Sequence, residues 1–165
     1  MENPTFMISN YITKCNNPGI ETLRNNLFKL GILSKDYPDE NMILLYNRYE
    51  SRNKSAVELE CRSVIIDRST FDIICYTCPT PIYNMDAVNY MMRHPEQNKE
   101  IFQCYEGSLL SLFNYNNKWY LSSRRCLDSE NSVVNQVSHY QMFMDVLKAD
   151  NYETLNDFTK FLDTK

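Results

Sequence analysis

The sequence between Cys61 and Tyr76 reads CRSVIIDRSTFDIICY, in which two apolar runs flank a short polar one. Cys61 to Asp67 alternates imperfectly between apolar and polar residues, and Phe71 to Tyr76 forms the second run. Short runs rich in isoleucine and valine are typical of β-strands. Arg68-Ser69-Thr70 supplies a turn between them, so this segment predicts an antiparallel hairpin.

A helix and a strand are predicted on the N-terminal side of this hairpin. Asn17 can cap the helix, with Pro18 at its first position, and Gly31 can end it. Its apolar face has helical spacing and comprises Ile20, Leu23, Leu27, Phe28 and Leu30. A turn-rich link from Ser34 to Asn41 then leads to a buried strand from Met42 to Tyr46.

On the C-terminal side, the prolines of Thr77 to Pro81 exclude a central strand because proline lacks the hydrogen-bond donor. Asn84 or Asp86 is predicted to cap a short helix. That helix runs from Ala87 to Arg93 and ends before Pro95.

A second hairpin is predicted further on, entered by a strand around Phe102 to Glu106. Its arms are Ser108 to Phe113 and Lys118 to Ser123. A loop from Asn114 to Asn117 joins them. The next helix has its apolar positions at Tyr140, Phe143, Met144 and Leu147, and a last helix spans Leu155 to Leu162. Antiparallel hairpins with flanking helices predict an α+β fold, with residues 1–165 as a single domain.

The net charge and the distribution of apolar residues limit the classes of protein to which this chain can belong. The net charge is -4 and the pI near 5.2, so any nucleic-acid binding must come from a local basic patch. No apolar run approaches the roughly 20 residues that span a bilayer, and the N-terminus lacks a secretory signal. We therefore expect no membrane association, a cytoplasmic location, and free thiols for the six cysteines.

Three segments, in order, resemble the RNA ligase branch of the covalent nucleotidyltransferases. The strand Glu60–Asp67 (ECRSVIID) is similar to the family's Arg-Gly-hydrophobic strand. Pro79–Asn84 (PTPIYN) is similar to its Lys-Phe-Phe-Asn segment. Gln103–Leu109 (QCYEGSL) resembles its Lys-x-Asp-Gly-Ser-Leu motif, and Ser122–Arg125 (SSRR) resembles the basic end of the same hairpin. The resemblance covers about residues 40 to 130 and is strongest to phage-type RNA ligases that repair tRNA and to related proteins of large DNA viruses.

The resemblance implies roles for five residues. Arg62 would contact the nucleotide and Tyr83 would stack on its base. Glu106 would lie beside the ribose, and Gly107 would let the backbone approach it. Arg124 would supply the basic edge of the pocket. If the hairpin closes between positions 114 and 118, Ser108 lies opposite Arg124, whose guanidinium can then bind phosphate.

The resemblance also implies a fold like half of a nucleotidyltransferase (ATP-grasp-like) domain, truncated at the C-terminus because the later Glu-Gly-x-Val and Lys-x-Lys motifs are absent. ATP and a divalent metal ion would act as cofactors only if the family's chemistry persists in this chain. Cys104 replaces the nucleophilic lysine, and a thiol cannot form the lysyl-AMP phosphoramidate. Pro81 replaces a nucleotide-binding lysine. Lys99 lies about 16 Å upstream along a strand, and Lys118 lies at the far end of the hairpin.

Simpler interpretations exist for the same residues. Arg62 can pair with Glu58 or Glu60 at the surface. Arg124-Arg125 can be a solvated hairpin end, and Tyr83 a core aromatic. Cys104 is most simply a small buried apolar residue.

A metal site is not predicted. Cys75-x-x-Cys78 has no second pair to complete a zinc site, and His94 and His139 are isolated in sequence. His139 is better placed in the first turn of the Tyr140 helix.

Three functions follow from this sequence. The preferred one is a degenerate RNA ligase-like domain that binds nucleotide or RNA ends without ligase activity of its own. The second is a structural or interaction protein, such as a virion component, with a protein partner or as a homodimer. The third is an active ligase completed by a partner chain.

Overall fold

The computed structural model describes residues 6–16, 18–48, 54–100, 102–103 and 107–163. The helices are α1 (Met7–Lys14), α2 (Ile20–Lys29), α3 (Ala56–Glu60), α4 (Asn84–Arg93), α5 (His139–Ala149) and α6 (Leu155–Asp163). The strands are β1 (Ile32–Tyr37), β2 (Met42–Asn47), β3 (Val64–Asp67), β4 (Ile73–Tyr76), β5 (Leu110–Tyr115), β6 (Lys118–Ser123), β7 (Val133–Val134) and β8 (Val137–Ser138). A 3₁₀ turn covers Ser129–Asn131.

The strands form antiparallel sheets, as predicted for the α+β class. One sheet has the order β1-β2-β3-β4, while β5 pairs with β6 and β7 with β8. The predicted hairpin around Arg68-Ser69-Thr70 is confirmed, with Val64 opposite Tyr76 and a register shift between Ile65 and Ile66. Its strands are shorter than predicted, because they begin at Val64 rather than Cys61 and at Ile73 rather than Phe71. Among the described residues, no helix is long and apolar enough to cross a bilayer.

Strand β2 is buried on both faces and organises the core. Ile43 and Leu45 contact a cluster that includes residues of α1 and α2, whereas Met42 and Leu44 contact the cluster that contains Phe113. A strand covered on both sides needs apolar residues at consecutive positions. The run Met42–Leu45 meets that need, which explains why the sequence predicts this strand well.

The link predicted from Ser34 to Asn41 is wrong in its first half. Ile32–Tyr37 is an edge strand paired with β2, and the turn covers only positions 38 to 41. An edge strand leaves polar side chains such as Lys35 in solvent, so the apolar alternation that reveals a strand is weak here.

Two predicted helix starts also need correction. In α2 the cap is Gly19, and Pro18 precedes the cap; Asn17 lies outside the described residues. Phe28 is 57% exposed and off the apolar face, where the Arg48 guanidinium lies 4.2 Å from its ring centroid. Gly31 ends the helix with φ +80°, as predicted.

Helix α4 begins three residues earlier than predicted, at Asn84 rather than Ala87. Tyr83 occupies the cap position with no side-chain cap bond, so neither Asn84 nor Asp86 caps it. Its end at Arg93 agrees with the prediction. The short helix α3, capped by Ser55, was not predicted.

The second hairpin closes over two residues instead of four. Asn116 and Asn117 both have positive φ, +52° and +60°, which is the geometry of a tight two-residue hairpin turn. Tyr115 therefore pairs with Lys118, and the predicted register, with Ser108 opposite Arg124, is wrong by one residue. Asparagine tolerates the left-handed region well enough to allow this turn. Phe102 and Gln103 are not in a strand, and residues 104–106 lie outside the described part.

Candidate anion-binding site

A cavity of about 230 Å³ lies where the two hairpins approach α5. The end of β4, the start of β5, the residues after β6 and the start of α5 all reach it. Its lining consists of Arg62, Ser63, Thr77, Ser108, Leu109, Ser111, Ser123, Arg124, Arg125, Ser132 and His139. These are three guanidinium groups, an imidazole and several hydroxyls, and no carboxylate lines the cavity among the described residues.

Arg124 stands at the tip of a tight turn held by hydrogen bonds between Ser123 and Cys126. Its Nη2 donates to Oδ1 of Asn47 at 2.5 Å and to the Asn47 carbonyl at 3.4 Å. The side chain is half-buried and fixed in direction. The prediction that Arg124 is only a solvated hairpin end is therefore not what the structure shows.

Asn47 is the residue that orients Arg124, and it was not predicted from the sequence. It is fully buried, and its Nδ2 donates to the Glu58 carbonyl at 2.9 Å and to Thr80 Oγ1 at 2.6 Å. Its Oδ1 is thus left for the guanidinium. The available signal was one polar residue at the end of the apolar run MILLYN.

Arg62 lines the cavity from the segment just before β3. Its Nη1 lies 3.2 Å from Cys78 Sγ. The two carboxylates proposed as its surface partners are engaged elsewhere. Glu58 pairs with Lys54 at 3.1 Å, and Glu60 accepts from the backbone N–H groups of Met7 and Ile8 at 3.0 and 2.7 Å.

His139 links the loop before β5 to the start of α5. Nδ1 lies 2.8 Å from the Ser132 carbonyl oxygen, which can only accept, so Nδ1 carries the proton. In the neutral ring, Nε2 then accepts from the Ser108 hydroxyl at 2.9 Å. His139 stands in the first turn of the helix as predicted, but no role in a site was predicted for it.

Thr77 also faces this cavity. Its Oγ1 is buried and has no hydrogen-bond partner among the described residues. A buried hydroxyl without a partner is destabilising by about 1–3 kcal/mol. A bound polar ligand would remove that penalty.

The predicted site residues are only partly brought together. Arg62 and Arg124 share the cavity, and Gly107 directly precedes Ser108 with open space where a Cβ would lie. Tyr83 is 65% exposed and does not line the cavity. Cys104 and Glu106 lie outside the described residues, so their roles, and that of Tyr83, stay predictions.

The described cysteines are free thiols. Burial raises the pKa of Cys61 to about 12 and also raises the pKa of Cys75, so both thiols stay protonated near neutral pH. Within the described ranges, no group of three or more His, Cys, Asp or Glu residues could hold a metal ion.

The cavity suits a small anion. Three guanidinium groups line it, and arginine binds phosphate through paired hydrogen bonds. Its volume is below the range of about 300–1,000 Å³ that encloses drug-sized ligands. A phosphate group with a small attached portion fits better than a whole nucleoside triphosphate.

Comparison with known proteins gives one informative similarity. The chain is 24% identical, over 151 residues, to a protein of Autographa californica nuclear polyhedrosis virus provisionally described as a bifunctional polynucleotide kinase/RNA ligase. The match covers 86% of this chain and 21% of that protein, so the chain spans about one fifth of its relative's length. This similarity indicates an RNA ligase-like relationship.

No family model matches the chain. No solved structure matches it either, so the likeness to half of a nucleotidyltransferase domain stays a prediction.

Proposed function

We propose that this chain is a degenerate RNA ligase-like domain that binds a phosphate-bearing ligand, a nucleotide or an RNA end, without ligase activity of its own. The observation that carries the proposal is the meeting of Arg62 and Arg124, from two separate hairpins, in one cavity free of lining carboxylates among the described residues. The distant similarity to a viral protein described as a kinase/RNA ligase supports a nucleic-acid ligand.

The cavity binds the phosphate group of such a ligand rather than its base. Arg124 is held in place by Asn47, so little side-chain entropy is lost when it binds. The Ser108 hydroxyl and the His139 ring are already ordered by their mutual hydrogen bond. Each charge-assisted hydrogen bond to a phosphate oxygen stabilises a complex by about 1.5–3 kcal/mol.

A 5′-phosphorylated RNA is the ligand expected to bind best. We expect a short 5′-phosphorylated RNA to bind at least about tenfold more tightly than the same RNA with a 5′-hydroxyl, because the terminal phosphate is the group that fills the cavity. Isothermal titration of the two RNAs and of ATP, at the same salt concentration, measures this difference.

Equal affinity for the phosphorylated and hydroxyl RNAs would contradict the end-binding role. If neither RNA nor ATP binds, the interaction or structural function becomes the better explanation of this fold.

The absence of ligase chemistry rests on the nucleophile. Cys104 stands where the resemblance requires a lysine, and no lysine lines the cavity among the described residues. The Lys99 ammonium donates hydrogen bonds to the backbone carbonyls of His94, Pro95 and Gln97. Lys118 lies at the opposite end of β6 and over the ring of Tyr120, at 4.8 Å.

Incubation with α-labelled ATP and magnesium, followed by denaturing electrophoresis, is therefore expected to leave the protein unlabelled. Since a phosphoramidate survives mild denaturation at alkaline pH, a radioactive band at the position of this chain would overturn the inactive assignment. The same incubation with added cell extract tests completion by a partner chain.

A further inference from the structure

A second cavity, of about 560 Å³, is lined by Lys118 to Leu121 of strand β6 and by the segment from Leu127 to Asn131. Lys118, at the start of β6, lines it, whereas Ser123, at the end of β6, lines the anion-binding cavity. No described residue lines both cavities. We call the second cavity the acidic cleft, since its charge is opposite to that of the first.

Five carboxylates line the acidic cleft and only one basic residue, among the described residues, accompanies them. The acids are Asp36, Asp39, Glu40, Asp128 and Glu130. Asp36 pairs with Arg68 at 2.9 Å, and the basic residue is Lys118. A clear excess of negative charge therefore remains around the cleft, which attracts a cation.

Aromatic rings form much of the remaining wall. The aromatic residues that line the cleft are Tyr37, Trp119, Tyr120 and Tyr140. The Tyr37 hydroxyl accepts a hydrogen bond from the backbone N–H of Leu127 at 3.2 Å, which holds that ring in place. Indole and phenol faces attract cations, and a planar guanidinium also stacks on them.

Ser129 gives an independent sign of a ligand. It lines the acidic cleft, it is only 1% exposed, and its Oγ has no hydrogen-bond partner among the described residues. The turn that carries it is fixed, because the Asp128 carboxylate accepts from Glu130 N at 2.9 Å and from Asn131 Nδ2 at 2.8 Å. A ligand N–H group would satisfy this buried oxygen.

The lining of the cleft suits an organic cation better than a metal ion. In the part of the chain that the structure describes, no three acidic, histidine or cysteine side chains are grouped closely enough to hold a metal. The carboxylates come instead from two separate segments, positions 36–40 and 128–130. Carboxylates on two separate segments can pair with several cationic groups of one flexible chain.

We propose that the acidic cleft binds an arginine-rich segment of a partner protein. Guanidinium groups pair with two carboxylate oxygens at once, stack on an aromatic ring such as that of Trp119, and donate to a hydroxyl. A simple polyamine carries comparable charge but has no planar group for the rings. This binding is independent of the anion-binding cavity.

Trp119 makes the proposal directly measurable, because it is the only tryptophan in the chain. Titration with a short arginine-rich peptide is expected to produce a saturable change in tryptophan emission, weakened by added salt. The same peptide with citrulline in place of arginine is expected to leave the emission unchanged.

Charge-matched variants locate the binding. The exposed pair Asp39→Asn/Glu130→Gln is expected to weaken peptide binding about threefold to tenfold. The control pair Asp86→Asn/Glu100→Gln removes the same charge from exposed positions outside the cleft and is expected to have no effect. An Arg62→Ala/Arg124→Ala variant is also expected to bind the peptide normally, so failure here is distinguishable from failure of the anion site.

The proposal is overturned if the emission shows no saturable change, if citrulline and arginine peptides bind alike, or if both variant pairs weaken binding equally. Spermine that binds as tightly as the peptide would replace the partner protein by a small polyamine and would overturn the proposal as well.

Discussion

Replacement of Arg62 and Arg124 together by alanine is expected to weaken binding of 5′-phosphorylated RNA by at least about a hundredfold. Two charge-assisted hydrogen bonds of about 1.5–3 kcal/mol each are lost, which corresponds to about 3–6 kcal/mol. Both guanidiniums line the cavity, and no carboxylate opposes them there among the described residues. Isothermal titration of the wild-type and variant proteins, at matched ionic strength, gives the ratio.

A matched control separates the cavity from general electrostatics. Arg93→Ala/Lys148→Ala removes the same charge from two exposed side chains outside the cavity, so it is expected to weaken binding only slightly. An equal loss in both variants would mean that the RNA binds by diffuse attraction, and the cavity would lose its role. Arg62→Lys/Arg124→Lys retains charge without paired hydrogen bonds, so an intermediate affinity is expected for it.

Asn47→Ala is expected to lower the free energy of unfolding by about 2–4 kcal/mol and to weaken phosphate binding as well. The substitution removes a buried amide that joins the Glu58 carbonyl, Thr80 Oγ1 and the Arg124 guanidinium. Leaving buried polar groups without partners is among the more costly kinds of single change. Urea unfolding, followed by circular dichroism, measures the stability, and titration of 5′-phosphorylated RNA measures the binding.

The control for Asn47 is Asn25→Ala, at an exposed position of α2, which is expected to change stability by less than about 0.5 kcal/mol. If Asn47→Ala lost stability but kept full affinity for the RNA, Asn47 would be a purely structural residue. If the Asn47→Ala variant kept both its stability and its affinity for the RNA, the hydrogen bonds of Asn47 would not be what orients Arg124.

Much of the fold was predictable because it depends on local signals. The run Met42–Leu45 identifies the central strand, since a strand covered on both faces must be apolar throughout. Gly31 marks the end of α2 because its φ of +80° suits glycine. The edge strand β1 was missed because only Ile32 in it is fully buried and its sequence, ILSKDY, shows no clear alternation of apolar and polar residues.

The candidate site was predictable only in part. Arg62 and Arg124 were singled out by their likeness to a family motif, and the structure places them in one cavity. The register that was expected to bring Ser108 opposite Arg124 is off by one residue, yet both still line the cavity. His139, Asn47 and Thr77 were missed because nothing near them in the chain indicates a shared site.

The amino-acid sequence alone was sufficient to indicate the α+β class, the antiparallel hairpins and an RNA ligase-like relationship, because each depends on residues close together in the chain. The tertiary structure alone decided which distant groups meet. Asn47 and Arg124 are 77 positions apart, yet the Arg124 guanidinium donates to both the side-chain and the main-chain oxygen of Asn47. The acidic cleft likewise gathers carboxylates from two distant segments, positions 36–40 and 128–130. Packing of the sheet against the second hairpin creates these contacts, and no local pattern encodes them.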